Sequence, residues 1–243
     1  MELPILYEDA DVVAVAKPSG VMTHPDGRTD DETISDWFAA HYPESAGVGE
    51  SMKLVSGDEI MRPGVVHRLD AETSGVLVLA KTQEAHAFLK KAFQTHTVKK
   101  TYLAFVYGVL KPCDGTIDFS IGRSRKDFRL RSAQPHARGT LREAHTRYET
   151  VGDIGTHSLV KMMPETGRTH QIRTHLKAVH HPVVCDKLYA PNHPCDLGFH
   201  RLGLHAWELE IPLLSGERKK IIAPVPEDLA GAVRRFPGTA VFL

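Results

Sequence analysis

The chain is short of cysteine, carries no net charge and has no long apolar run, and each of these excludes something. Three cysteines in 243 residues, Cys113, Cys185 and Cys195, are odd in number and form no C-x-x-C pair. That disfavours a disulfide framework and favours a reducing, cytoplasmic setting. No apolar stretch reaches the length of a membrane span. The opening segment, "MELPILYEDADVV", is acidic and lacks a basic region followed by an apolar one, so it does not read as a signal peptide. Also missing are G-x-x-x-x-G-K-[ST], G-x-G-x-x-G, H-E-x-x-H and G-x-S-x-G, which sets aside several nucleotide-dependent, metal-dependent and serine-dependent chemistries. "HRLD" echoes a kinase catalytic loop, but no glycine-rich loop or D-F-G accompanies it.

What is present begins with an uneven distribution of charge. Residues 1–60 hold 13 acidic against 3 basic side chains, and residues 61–243 hold 17 against 27. The densest basic stretch, "GRSRKDFRLRSAQPHARGTLREAHTR" at 122–147, has 8 Lys or Arg and 2 acids. A chain polarised in this way can present a basic face to phosphates while its total stays neutral, and a solvated strand pair is the plainer alternative. The length fits one large domain or two small ones, with 42% hydrophobic residues to build a core.

Periodicity gives a coarse map. Strands are expected in "PILYEDADVVAVAK", "GVLVLAKT", "VKKTYLAFVYGVL", "GTIDFSI", "DFRLRS", "LREAHTRYETV", "HSLVKMMP", "RLGLHAWELEIP" and "RKKIIAPV". Helices are expected in "DDETISDWFAAHYP", in "QEAHAFLKKAFQTH" with Phe88, Leu89, Ala92 and Phe93 on one side, in "RTHQIRTHLKAVHH", and in "PEDLAGAVRRF" with Pro226 near its start. Residues 46–64 read as a loop rich in Gly, Ser and acids. Runs of strands with interspersed helices predict an α+β fold around a largely antiparallel mixed sheet with flanking helices, in a single domain over 1–243.

Two clusters could carry chemistry. "HHPVVCDKLYAPNHPCDLGFH" gathers His180, His181, Cys185, His193, Cys195 and His200, but the spacings match no usual zinc pattern, and incidental histidines in a loop account for it equally. "VVHRLDAETSGVLVLAKT" interrupts a strand-like run with His67, Arg68 and Asp70. Charge is costly to bury unless paired or useful, so the interruption reads as a site or as a solvated turn.

"HRLDAETSG", "KKTYLAFVYG" and "PETGRTHQIRTHLKAVHHPVVCDKLY", with "LYEDADVVAVAKPSGVMTHP", "EAHTRYE", "LHAWELEIPLLSGE" and "APVPEDL", together resemble the RluA-type family of RNA pseudouridine synthases. The resemblance covers most of the chain in the family's order. It implies a pseudouridine synthase catalytic fold and an isomerase that breaks the bond from ribose to N1 of uracil and remakes it to C5, with no redox cofactor and no metal. It implies Asp70 as the anionic nucleophile, Arg173 as its cationic partner and Tyr102 as the aromatic that stacks on the base and takes part in proton transfer. Tyr102 could otherwise be a core aromatic of its strand.

A carboxylate buried alone would lose its charge, so a cation beside Asp70 is required. By the same resemblance Arg68 fills the space left by a flipped base. His67, Arg168, His170 and Gln171 join it in binding RNA, the last three at a helix entry that offers N–H groups to phosphate. The implied partner is RNA, 23S-type large-subunit ribosomal RNA or transfer RNA or both, with no DNA and no membrane, bound by a monomer. Two departures stand out. Cys185 occupies a position where many members have glycine before the aspartate, here Asp186, and residues 47–62 look like an insertion. With the resemblance beginning near residue 5, the S4-like N-terminal domain that many relatives carry is expected to be absent. An RNA-binding module without catalysis would be expected to lack Asp70, Tyr102 or Arg173. A glycosidase would need a second carboxylate beside Asp70.

Overall fold

A computed structural model describes residues 1–27, 29–53, 57, 59–125, 127, 130–133 and 137–243. Its strands are β1 (Ile5–Glu8), β2 (Val12–Lys17), β3 (Gly49–Lys53), β4 (Glu59–Pro63), β5 (Ser74–Ala80), β6 (Lys99–Tyr107), β7 (Asp114–Ile117), β8 (Ile121–Ser124), β9 (Arg131–Ala133), β10 (Ala137–Arg142), β11 (Thr146–Asp153), β12 (His157–Pro164), β13 (Leu204–Pro212) and β14 (Arg218–Ile222). The helices are α1 (Ile34–His41), α2 (Gln83–Gln94), α3 (Gln171–Ala178) and α4 (Glu227–Val233). The chain forms two compact units, Met1–Lys99 with Glu208–Ala223, and Lys100–Trp207 with Pro224–Leu243. The class is α+β, as the run of elements suggests.

In the first unit β2 pairs antiparallel with β1 and β5, with Val13 opposite Leu79 and Val15 opposite Leu77. Both strands are apolar and β-branched, and nearly every residue of the two is buried, as expected of strands covered on both faces. Thr33 caps α1 in a reciprocal capping box with Asp36, and Thr82 caps α2. The apolar side of α2 differs from the expectation. Ala85, His86, Leu89 and Ala92 are buried, whereas Phe88 is exposed. His86 can turn inward because its Nε2 meets the Val65 carbonyl at 3.2 Å.

Residues 46–64 are not simply a loop. β3 and β4 pair as a hairpin with Ser51 opposite Met61, and an ion pair joins Glu50 to Lys90. Its surface position hid it: neither strand has a buried residue, so no apolar alternation marks them. Residues 54–56 and 58 of the expected insertion lie outside the described residues.

In the second unit β6, β12, β11 and β7 pair antiparallel in that order. One hydrophobic cluster gathers Ala104, Val106, Val160, Met162, Ile172 and Leu176, with Tyr102 packed against it. Another gathers Leu103, Phe105, Leu159, Leu229, Val233 and Phe236. β8, β9 and β10 form a separate small sheet. "GTIDFSI" is therefore divided between β7 and β8, because Asp118, Phe119 and Ser120 leave the first sheet before the chain enters the second. Of the expected strand "DFRLRS", Phe128 and Arg129 lie outside the described residues, as does Lys126 of the basic stretch.

The cysteine reading needs a correction. Cys185 and Cys195 are bonded to each other, with Cα atoms 4.6 Å apart, and Cys113 is free and exposed. An odd count without a C-x-x-C pair could not reveal a bridge between cysteines ten positions apart.

Candidate active site

In the first unit Asp70 sits half-buried on the loop that leads into β5. Leu69 beside it is buried and Arg68 is exposed, so the loop is pinned by one residue and offers the next to solvent. The end of β2 and the segment after it grip this loop. Lys17, at 1% exposure, donates from Nζ to the carbonyls of Pro18 (2.8 Å), Val21 (2.6 Å) and Ala71 (2.9 Å). A buried ammonium is tolerable because all three of its donors find acceptors.

Ser19 Oγ donates to the Glu72 carbonyl at 2.7 Å, and Gly20 N–H to that of Ala71 at 2.8 Å. Thr23 Oγ1 lies within hydrogen-bond reach of both the Leu69 carbonyl and its N–H, at 3.0 and 3.2 Å. Thr73 N–H closes the turn onto the Asp70 carbonyl at 3.0 Å. The backbone on both sides of Asp70 is thus fixed by "KPSGVMT".

His67 Nε2 accepts the Val78 N–H at 3.0 Å, and its ring stacks on Phe93 with centroids 4.4 Å apart. Accepting at Nε2 places the proton on Nδ1. Burial holds the nearby His24 ring below its ordinary pKa, and the charges of Arg68 and Arg62 add to that effect.

In the second unit Tyr102 lies on β6 opposite Met162 and shares its cluster with Ile172 and Leu176 of α3. Arg173 is buried on α3 at 2% exposure. Its Nε and Nη2 donate to the two carboxylate oxygens of Asp186, each at 2.7 Å. The same carboxylate accepts the N–H groups of Leu188 (3.0 Å) and Tyr189 (2.9 Å). The Tyr189 ring lies under the guanidinium, 5.1 Å from it, and its hydroxyl meets His170 Nδ1 at 2.9 Å. Arg173 is therefore oriented by a bidentate fork on one side and an aromatic face on another.

Gln171 is buried, and its amide is used within the unit. Oε1 accepts from Thr166 Oγ1 (2.7 Å) and Arg168 N–H (2.9 Å), while Nε2 donates to the His145 carbonyl (3.0 Å) and Thr146 Oγ1 (2.9 Å). It holds the turn before α3. His170, the residue preceding that helix, adopts a left-handed backbone with φ 55°. Arg168 is half-buried, with Nε on the Glu143 carbonyl at 2.9 Å. Lys100, two residues before Tyr102 and so on the same face of β6, donates to the Thr166 carbonyl at 3.2 Å. Burial, with the positive charge of Arg168 added, pushes its pKa down to about 8.

The sequence reading did not single out Lys17, Ser19, Thr23 or Tyr189, and named Asp186 only as the neighbour of Cys185. Lys17 had a signal, a cation at the end of an all-apolar strand. The others look like ordinary turn residues until the fold shows what they hold. Cys185 has φ 59°, a left-handed conformation that glycine adopts without cost.

Residues 11–178, which enclose Asp70, Tyr102 and Arg173, match a family described as RNA pseudouridylate synthase. An uncharacterized RNA pseudouridine synthase of Bacillus subtilis is 37% identical, over 97% of this chain and 73% of the relative. One of Synechocystis sp. is 38% identical, over 92% of this chain and 66% of the relative. The ribosomal large subunit pseudouridine synthase D of Neisseria meningitidis is 38% identical, over 94% of this chain and 60% of that protein. The chain thus spans about two thirds of the length of these relatives. Among solved structures, the human RNA pseudouridylate synthase domain containing 4 is similar with a TM-score of 0.73 and 25% identity, over 96% of this chain and 92% of that one. The human domain containing 1 gives 0.71 and 26%, over 93% and 84%.

Proposed function

We propose that this chain, which belongs to the RNA pseudouridylate synthase family, isomerises uridine in large-subunit ribosomal RNA, transfer RNA or both to pseudouridine. The observation that carries the proposal is the family match across residues 11–178, with Asp70, Tyr102 and Arg173 all present within it. The reaction breaks the bond from ribose C1′ to uracil N1, forms one from C1′ to C5, releases the proton of C5 and returns a proton to N1. A uridine in folded RNA must leave its stack to be reached. Arg68, exposed on the loop of Asp70, is suited to occupy the vacated place.

Asp70 serves as the anion at the sugar and detached base, Arg173 as the cation that keeps it ionised, and Tyr102 as the stacking and proton-transfer group. Arg168 and His170 face RNA phosphate, Gln171 holds the turn they sit on, and His67, bound to β5, supports the loop of Asp70. None of the described helices is long and apolar enough to cross a membrane.

The test is Asp70→Asn, which keeps the shape and removes the charge. The variant is expected to keep the wild-type far-ultraviolet circular dichroism and to form no pseudouridine in a large-subunit ribosomal RNA transcript or in transfer RNA. Turnover above a mock preparation would remove Asp70 from its role.

A further inference from the structure

The small sheet of the second unit puts like charges where a fold would ordinarily avoid them. Arg123 on β8 pairs directly with Arg138 on β10 and with Arg131 on β9. Residues directly opposite in antiparallel strands share a face, so three arginines stand side by side across three adjacent strands. Neighbouring strands are about 4.8 Å apart, so the row is roughly 10 Å long. Like charges placed opposite each other destabilise a sheet. Among the described residues no carboxylate pairs with any of the three, and Arg123 and Arg138 are exposed.

The arrangement is built. A Cβ on Gly122 would lie 2.7 Å from the Arg138 carbonyl, so only glycine lets β10 come close enough to set Arg138 against Arg123. The register shifts just after Arg138, at Gly139 with φ 72°. At the other end of the row, Arg131 N–H donates to Tyr189 Oη at 2.9 Å, the same tyrosine that underlies Arg173.

We infer that the row Arg138–Arg123–Arg131 is a subsite for consecutive phosphates of the RNA backbone, anchored through Tyr189 to the helix that carries Arg173. The inference rests on the reading of the chain as an RNA-modifying enzyme. A single anion would need one guanidinium fork. A row of three on an exposed strand surface suits a chain of phosphates, whose charge also removes the repulsion within the row.

The experiment is a titration of a large-subunit ribosomal RNA transcript at several salt concentrations, with thermal unfolding of each variant alongside. Arg123→Glu replaces two repulsive cross-strand pairs by two attractive ones. It is expected to weaken RNA binding about tenfold or more at low salt, to lower the slope of log affinity against log salt by at least about one, and to leave the unfolding midpoint unchanged or raised. Arg123→Gln should do the same more mildly, and serves if the charge reversal disturbs folding. Wild-type affinity and slope in both variants would overturn the inference, as would a lowered midpoint in Arg123→Gln, since the arginine would then be structural. Tritium release from uracil C5 by the wild-type protein separates the two readings. If it occurs while the variants bind normally, the row alone is wrong; if it does not occur, the parent reading fails and the row with it.

Discussion

Lys17 shows how much of a site can rest on a residue that touches no substrate. Its ammonium satisfies three carbonyls, one of them in the residue after Asp70. Lys17→Met keeps the length of the side chain and removes every donor. Leaving buried acceptors unsatisfied costs about 1–3 kcal/mol. The variant should unfold at lower temperature and isomerise more slowly in single turnover, because the loop that aims Asp70 loosens. An undiminished single-turnover rate would show that the loop holds its shape unaided.

Lys100 gives a prediction in pH. Its pKa is held at about 8 in the fold against 10.5 ordinarily. The folded state therefore releases this proton first, and between about pH 8 and 10.5 the unfolded state binds more protons. In that window the Lys100 contribution to folding stability rises with pH. Lys100→Met should flatten the stability profile over the same window in chemical denaturation. Arg168→Ala should move the Lys100 titration upward by nuclear magnetic resonance. A Lys100 that titrates at its ordinary pKa would contradict the burial argument.

At the scale of elements, α3 has no side-chain cap of its own and is seated by its neighbours. Gln171 ties its first turn to His145 and Thr146, and Arg173 ties its middle to the Asp186 turn. Removing one partner of a buried ion pair typically costs about 3–5 kcal/mol. Arg173→Ala is expected to lower stability by that order in denaturant unfolding and to abolish turnover. Arg173→Lys should recover little of either, since an ammonium cannot make the two-pronged contact. Full stability in Arg173→Ala would mean that Asp186 finds other support.

The strongly apolar or periodic elements were legible in the sequence. β2, β5, β6 and β12 were expected close to where they lie, and so were all four α-helices of the described residues. The β3–β4 hairpin was not, because neither strand has a buried residue and neither carries apolar alternation. Nor was the separation of β7 from β8, since a strand's departure from one sheet for another leaves no mark on local propensity. In the candidate site, Asp70, Tyr102 and Arg173 were named from the family resemblance, not from their packing. Asp186, Tyr189 and the hydroxyls of Ser19 and Thr23 act through contacts across the fold, and these exist only once the chain has folded.

At the scale of the whole molecule, the charge asymmetry seen along the sequence follows the two compact units. The first holds 19 acidic and 12 basic side chains, a balance of −7, and the second 11 and 18, a balance of +7. A neutral total therefore hides a second unit with the electrostatics of a polyanion binder, and the arginine row belongs to it.

The central claim is the isomerisation itself. The protein should be incubated with large-subunit ribosomal RNA and with transfer RNA carrying tritium at uracil C5. The account predicts release of tritium to water with the RNA chain length unchanged and no free base. Retention of all tritium in both RNAs, or release of free uracil, would contradict it.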